Sequence, residues 1–112
     1  MVAETAGDPQ SVGPVLQAGP VADAIVVAIR GQNREVRVID RGSYVRVLCP
    51  DRCQVSRASI EATLHRSFVL PGDLELVMSS FKGHFHVDED VASWELARPT
   101  SASGQPPAGD RR

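Results

Sequence analysis

The sequence predicts an α+β domain: a mainly antiparallel sheet with two main helices packed on it, arranged as two β-α-β-β-like halves. Three observations carry that expectation. Short segments such as EVRVID and SYVRVLC alternate apolar and polar residues with period two, the signature of half-buried strands. Two other stretches, residues 20–31 and 56–65, space their apolar residues as a helix does. Turn chemistry separates the segments at Asp40-Arg41-Gly42, Pro50-Asp51-Arg52, Pro71-Gly72-Asp73 and Asp88-Glu89-Asp90. The expected order is β-α-β-β-β-α-β-β-β.

The first segment, VGPVLQA, is extended, and Pro14 lacks the N–H a central strand would use, which places it in an edge strand or at the beginning of one. Gly19-Pro20 opens a helix with proline at the favoured first position. Val21, Ala24, Ile25, Ala28 and Ile29 form its apolar stripe, and Gly31 is the expected stop. A hairpin follows: Val36 and Val38 share one face, and Val45, Val47 and Cys49 share one face of the returning strand. After a short strand over residues 53–55, Ser56 caps a second helix with Ile60 and Leu64 on its buried side, ending near His65. A turn, or one short helical turn, at residues 71–73 leads into a strand from Leu74. The last hairpin returns over residues 91–96, where Ala92, Trp94 and Leu96 share a face and Trp94 is the core anchor.

Composition narrows the function. The chain has 112 residues, enough for one domain. Lysine and arginine total 12 against 14 acidic residues, for a net charge of −2, without the basic stripe of a nucleic-acid binder. No apolar run reaches the length of a membrane span. The N-terminus has neither the basic nor the apolar region of a secretory signal, so the expected location is cytoplasmic. Residues 1–11 are small and polar, and residues 98–112 are rich in proline, glycine and serine. Both are expected to be disordered, because they bury too little to offset ordering entropy. The folded domain is expected over residues 12–97.

Chemistry-bearing residues are few. Cys49 and Cys53 are spaced CxxxC rather than as a redox CxxC, and two thiolates cannot complete a zinc site. They are expected as buried thiols, with a disulfide the lesser alternative. His84 and His86 share one strand face, but a metal needs further ligands, and only His65 and Asp88 are near in sequence. The polar face of a hairpin accounts for them more simply. Asp88-Glu89-Asp90 lacks the glycine and distal glutamate of a calcium loop. No nucleophile elbow or phosphate loop is present. The expectation is no catalytic residue, no cofactor and no metal. A regulatory protein, a small-molecule-binding module with its ligand between helix and sheet, and a small metal protein built on His65, His84 and His86 all remain open at this point.

The most informative stretch is LELVMSSFKGHFHVDED, residues 74–90. Its even positions are apolar early and polar late, while the odd positions carry Phe81, Gly83 and Phe85. One flat strand cannot bury both halves, since alternation fixes which face is inside. A bend or bulge between Ser80 and Gly83 resolves the conflict and exposes Ser79, Ser80 and Phe81 at a sheet rim.

Five segments in order, VGPVLQAG, IDRGSYVRV, SRASIEATLHRSF, LELVMSSFKGHF and DEDVASWEL, resemble the effector proteins of soluble bacterial di-iron multicomponent monooxygenases. These are the coupling, or regulatory, components of methane, phenol, toluene and alkene monooxygenases, and VGPVLQAG looks most like the toluene and alkene branch. The resemblance covers about residues 12–96. It implies a cofactor-free monomer that docks on the α subunit of the di-iron hydroxylase, shifts its active-site helices, and tunes turnover, coupling and regiospecificity. It also implies a reductase and a Rieske ferredoxin as further components. Carried onto this chain, the hydroxylase-facing segment is Met78, Ser79, Ser80, Phe81, Lys82 and Gly83, with Phe81 an apolar anchor. Tyr44 is expected to pack, and Arg41 and Arg46 to be exposed without a contact role.

Overall fold

The computed structural model describes residues 10–96. The expected tail at residues 98–112, and the expected leader apart from Gln10 and Ser11, lie outside the described residues. The elements are β1 (Ser11–Gln17), α1 (Pro20–Gln32), β2 (Arg37–Asp40), β3 (Tyr44–Pro50), β4 (Arg52–Ser56), α2 (Arg57–Leu64), α3 (Gly72–Val77), β5 (Met78–Lys82), β6 (His84–Val87) and β7 (Val91–Glu95). The α+β class holds, and the strands form two antiparallel sheets, ordered β2-β3-β1-β5 and β4-β7-β6. Among the described residues, no helix is long and apolar enough to cross a membrane.

Local chemistry explains the helices. Pro20 opens α1, and Ala22, Ala24, Ile25, Ala28 and Ile29 are its buried residues. The helix passes Gly31 and ends at Gln32, because the next side chains have partners to reach. Asn33 donates from Nδ2 to the carbonyls of Ile29 (2.8 Å) and Gln54 (2.7 Å) and accepts from the Gln54 N–H (3.0 Å). Gln32 Oε1 accepts from the Ser56 N–H at 2.8 Å. The outer edge of β4 is therefore satisfied by side chains, as an edge strand requires. Ser56 caps α2 as expected, its Oγ accepting from the Ser59 N–H at 3.1 Å, and His65 ends that helix in the left-handed region.

Trp94, Leu16, Ile25, Ile29, Ile60 and Leu74 are fully buried in a core shared by both sheets and the helices. Cys49 and Cys53 are buried free thiols in that core. Hydrogen bonding to Cys49, together with burial, raises the Cys53 pKa, so this thiol stays protonated.

Two expectations are corrected. Residues 74–77 belong to helix α3 rather than to a strand. Leu74 and Val77 are three apart, so LELV satisfies a helical turn as well as a strand, and burial of Leu74 decides between them. Pro14 is not at a sheet edge, since β1 lies between β3 and β5. Its missing N–H is tolerated because the β1–β3 pairing skips from Val12 to Val15. Beside it, a Cβ on Gly13 would meet the Val47 carbonyl oxygen, so only glycine lets the two backbones approach this closely.

The chain crosses between sheets at two single-residue corners. Asp51 (φ 64°) links β3 to β4, and Gly83 (φ 108°) links β5 to β6. Backbone bonds from the Asp51 N–H to Gln10 O (2.8 Å) and from the Leu96 N–H to Asp51 O (2.9 Å) hold the first corner. The second, with α3 before it, explains the mixed pattern of residues 74–90. Residues 74–77 are helical and join neither sheet, β5 before Gly83 serves one sheet, and β6 after it serves the other.

Candidate functional site

Strand β5 is the outer strand of its sheet, beside β1. The register runs Gly13↔Lys82, Pro14↔Phe81 and Val15↔Ser80, then slips to Leu16↔Met78. Ser79 is the extra residue, so the bulge sits at Ser79 and the bend at Gly83. A bulge re-aims side chains, and here it sorts the segment. Met78 turns in and packs against the core. Ser79 and Ser80 are both exposed and line one open recess. The Ser79 hydroxyl makes a long 3.5 Å bond to the Val15 carbonyl.

Phe81 is 45% exposed on the opposite side from Ser80. Its ring centroid lies 5.4 Å from that of Phe85, which lies 5.4 Å from that of the fully buried Trp94. The three rings form a row from solvent to core. Such pairs are apolar and favour a defined geometry, so the exposed Phe81 ring is held against Phe85. Lys82 is half-buried on the Ser80 side, and Gly83 makes the corner. The structure thus presents Ser79, Ser80 and Phe81, while Met78 and Gly83 support them from behind.

Three nearby residues were given no contact role by the sequence. Tyr44 and Arg46 line the same recess as Ser79, Ser80 and Val15, with a volume of about 340 Å³. Alternation within SYVRV sets both opposite Val45 and Val47; Tyr44, expected to pack, is 38% exposed, Arg46, expected to be exposed, is half-buried, and the strand order that sets β5 near them is a tertiary fact. Leu76 is 79% exposed on the helix that feeds β5, an apolar side chain presented to solvent.

The other constellations are structural in form. His84 and His86 are exposed on β6, paired in register with Glu95 and Ser93. Among the described residues, no three of His, Cys, Asp and Glu converge as a metal set. Asp88 Oδ1 accepts from the N–H groups of Asp90 and Val91, both at 2.8 Å. These bonds, first the one from Val91, lower the Asp88 pKa and tie the carboxylate into its own turn.

The model of the MmoB/DmpM family matches residues 10–95, from the turn before β1 to the end of β7. The chain belongs to that family. It is 46% identical over 89 residues to the effector subunit of the alkene monooxygenase system of Xanthobacter autotrophicus (strain ATCC BAA-1158 / Py2), spanning 78% of this chain and 87% of that subunit. Its fold is that of a chain solved in a phenol hydroxylase–regulatory protein complex, with a TM-score of 0.71 and 19% identity over 79% of this chain and all of that one. It is also the fold of the regulatory protein B of soluble methane monooxygenase (TM-score 0.61, 18% identity, 87% of this chain and 77% of that one). The resemblance noted in the sequence is therefore one of family and of fold.

Proposed function

We propose that this MmoB/DmpM-family protein is the non-catalytic effector of a bacterial di-iron monooxygenase acting on alkene or aromatic substrates. The observation that carries the reading is the 46% identity to an alkene monooxygenase effector subunit across most of both chains. The protein docks on the hydroxylase α subunit, shifts the helices around the active site, and raises turnover, coupling and regiospecificity. It works in the cytoplasm as a monomer when free, in a system completed by a reductase and a Rieske ferredoxin.

The docking edge is β5. Ser79 and Ser80 are small enough for a partner helix to approach the backbone, and their hydroxyls offer hydrogen bonds. Phe81 supplies an apolar anchor that is already ordered by Phe85, so little side-chain entropy is lost on binding. The bulge and bend keep this outer strand from pairing with another strand. An effector acts only through its different affinities for two hydroxylase states. By linkage, a change at the di-iron centre that favours one state alters effector affinity by the same factor.

Phe81→Ala tests the docking edge. Loss of a central apolar anchor raises the concentration needed for half-maximal stimulation by about tenfold. Turnover at saturation stays close to wild type, because the same complex still forms. A half-maximal concentration equal to wild type would remove Phe81 from the interface.

A further inference from the structure

We infer that the recess between β3 and β5 receives a carboxylate side chain of the hydroxylase, gripped by the Arg46 guanidinium; this deepens the effector reading and rests on it. Arg46 stands on the face of the four-stranded sheet turned away from the core. Register places Ile39, Arg46, Val15 and Ser80 in one row across β2, β3, β1 and β5. The flanking Val45 and Val47 point inward and are buried. Arg46 itself is half-buried, and its Nε is closed off from solvent with no hydrogen-bond acceptor among the described residues. A desolvated guanidinium N–H without an acceptor is costly, and a carboxylate seated on the guanidinium from the recess would offset that cost.

The surroundings specify that acceptor. The recess is lined by Val15, Tyr44, Arg46, Ser79 and Ser80, with no carboxylate among them. By the same register, Arg37 beside Leu48 and Lys82 beside Gly13 share this face. Asp40 alternates to the other side, where its Oδ1 accepts from the Gly42 N–H. The strands thus gather Arg37, Arg46 and Lys82 on one face of a protein whose net charge is −2. The planar guanidinium matches a carboxylate with two parallel N–H donors. The Tyr44 and Ser80 hydroxyls supply further donors at the rim. The occupant is therefore an aspartate or glutamate on the docking surface of the hydroxylase. It would lie beside the segment that Ser79 and Ser80 contact, so the recess and the docking edge form one continuous interface.

The test is equilibrium binding of the full chain to its hydroxylase, measured at several salt concentrations for wild type, Arg46→Gln, Arg46→Met and Arg66→Gln. Arg66 is exposed beyond the end of α2, is not among the residues that line the recess, and controls for the loss of one charge. Arg46→Met keeps the apolar stem and guards against a folding defect in Arg46→Gln. Both Arg46 variants should weaken binding by roughly 30-fold or more at low salt, since they leave a buried carboxylate unpaired. Their affinities should also fall less steeply with salt than wild type. Arg66→Gln should stay within about twofold of wild type. If wild type binds and both Arg46 variants match Arg66→Gln, the inference is overturned and the effector reading stands. If wild type does not bind at any concentration, both fall together.

Discussion

Gly83→Ala is expected to lower the unfolding free energy by about 3 kcal/mol or more, the sum of backbone strain and overpacking. Gly83 sits at φ 108°, a region that side-chain-bearing residues rarely enter. An added Cβ would also lie 2.8 Å from the Glu95 carbonyl oxygen and 2.8 Å from Val12 Cγ1. Val12 is fully buried in β1, and Glu95 belongs to β7, so neither can retreat without moving a sheet. Urea unfolding followed by the fluorescence of the single tryptophan would measure the loss. The corner also aims β5, so any Gly83→Ala protein that remains folded should stimulate the hydroxylase less at saturation. Stability within about 0.5 kcal/mol of wild type would show that the corner tolerates a side chain.

Trp94→Ala should cost about 3–5 kcal/mol, a large share of the stability of a domain this size. Trp94 is fully buried, stacks on Phe85 with an interplanar angle of 25°, and closes the inner end of the aromatic row. Its Nε1 has no hydrogen-bond partner among the described residues, so the indole contributes packing at some polar cost. That detail separates two variants. Trp94→Phe keeps most of the ring and removes the unpaired N–H, and it should cost only about 1 kcal/mol. Thermal or denaturant unfolding of both variants by circular dichroism would check the contrast. Equal losses for the two would mean that a bond to Nε1, rather than packing, anchors Trp94.

Much of the fold was legible because its causes are local. Ser56 as a cap, Pro20 as a helix opener, the Asp40-Arg41-Gly42 turn and the inward face of Val45, Val47 and Cys49 all follow from neighbours within a few residues. The conflict in the alternation of residues 74–90 was also legible, and it marks the Gly83 corner. The resolution of that conflict was not, since it depends on residues 74–77 packing as a helix and on which sheet β5 and β6 each join. The central place of β1 was hidden for the same reason. Pro14 argues for an edge unless one knows that the β1–β3 pairing skips it. Leu74 and Val77 fit either a strand or a helical turn, and only packing chose.

The candidate site divides the same way. The segment from Met78 to Gly83 could be picked out by its broken pattern and by resemblance. The opposite facing of Phe81 and Ser80, and the inward turn of Met78, depend on the Ser79 bulge. Tyr44 was expected to pack and Arg46 to be exposed, and neither was given a contact role, because nothing near them in sequence reveals that β5 stands two strands away. The two corners give the architecture a functional sense. The β5 edge of one sheet and the Phe85–Trp94 stack of the other meet at Gly83, so the packing of the core fixes the shape that β5 presents to solvent.

Whether this protein is an effector is decided by product formed per NADH consumed by a cognate di-iron hydroxylase with its electron-transfer proteins, as this protein is titrated in. A saturable rise in both turnover and product per NADH is the predicted result. No change at any concentration, with a folded protein and an active hydroxylase, would contradict it.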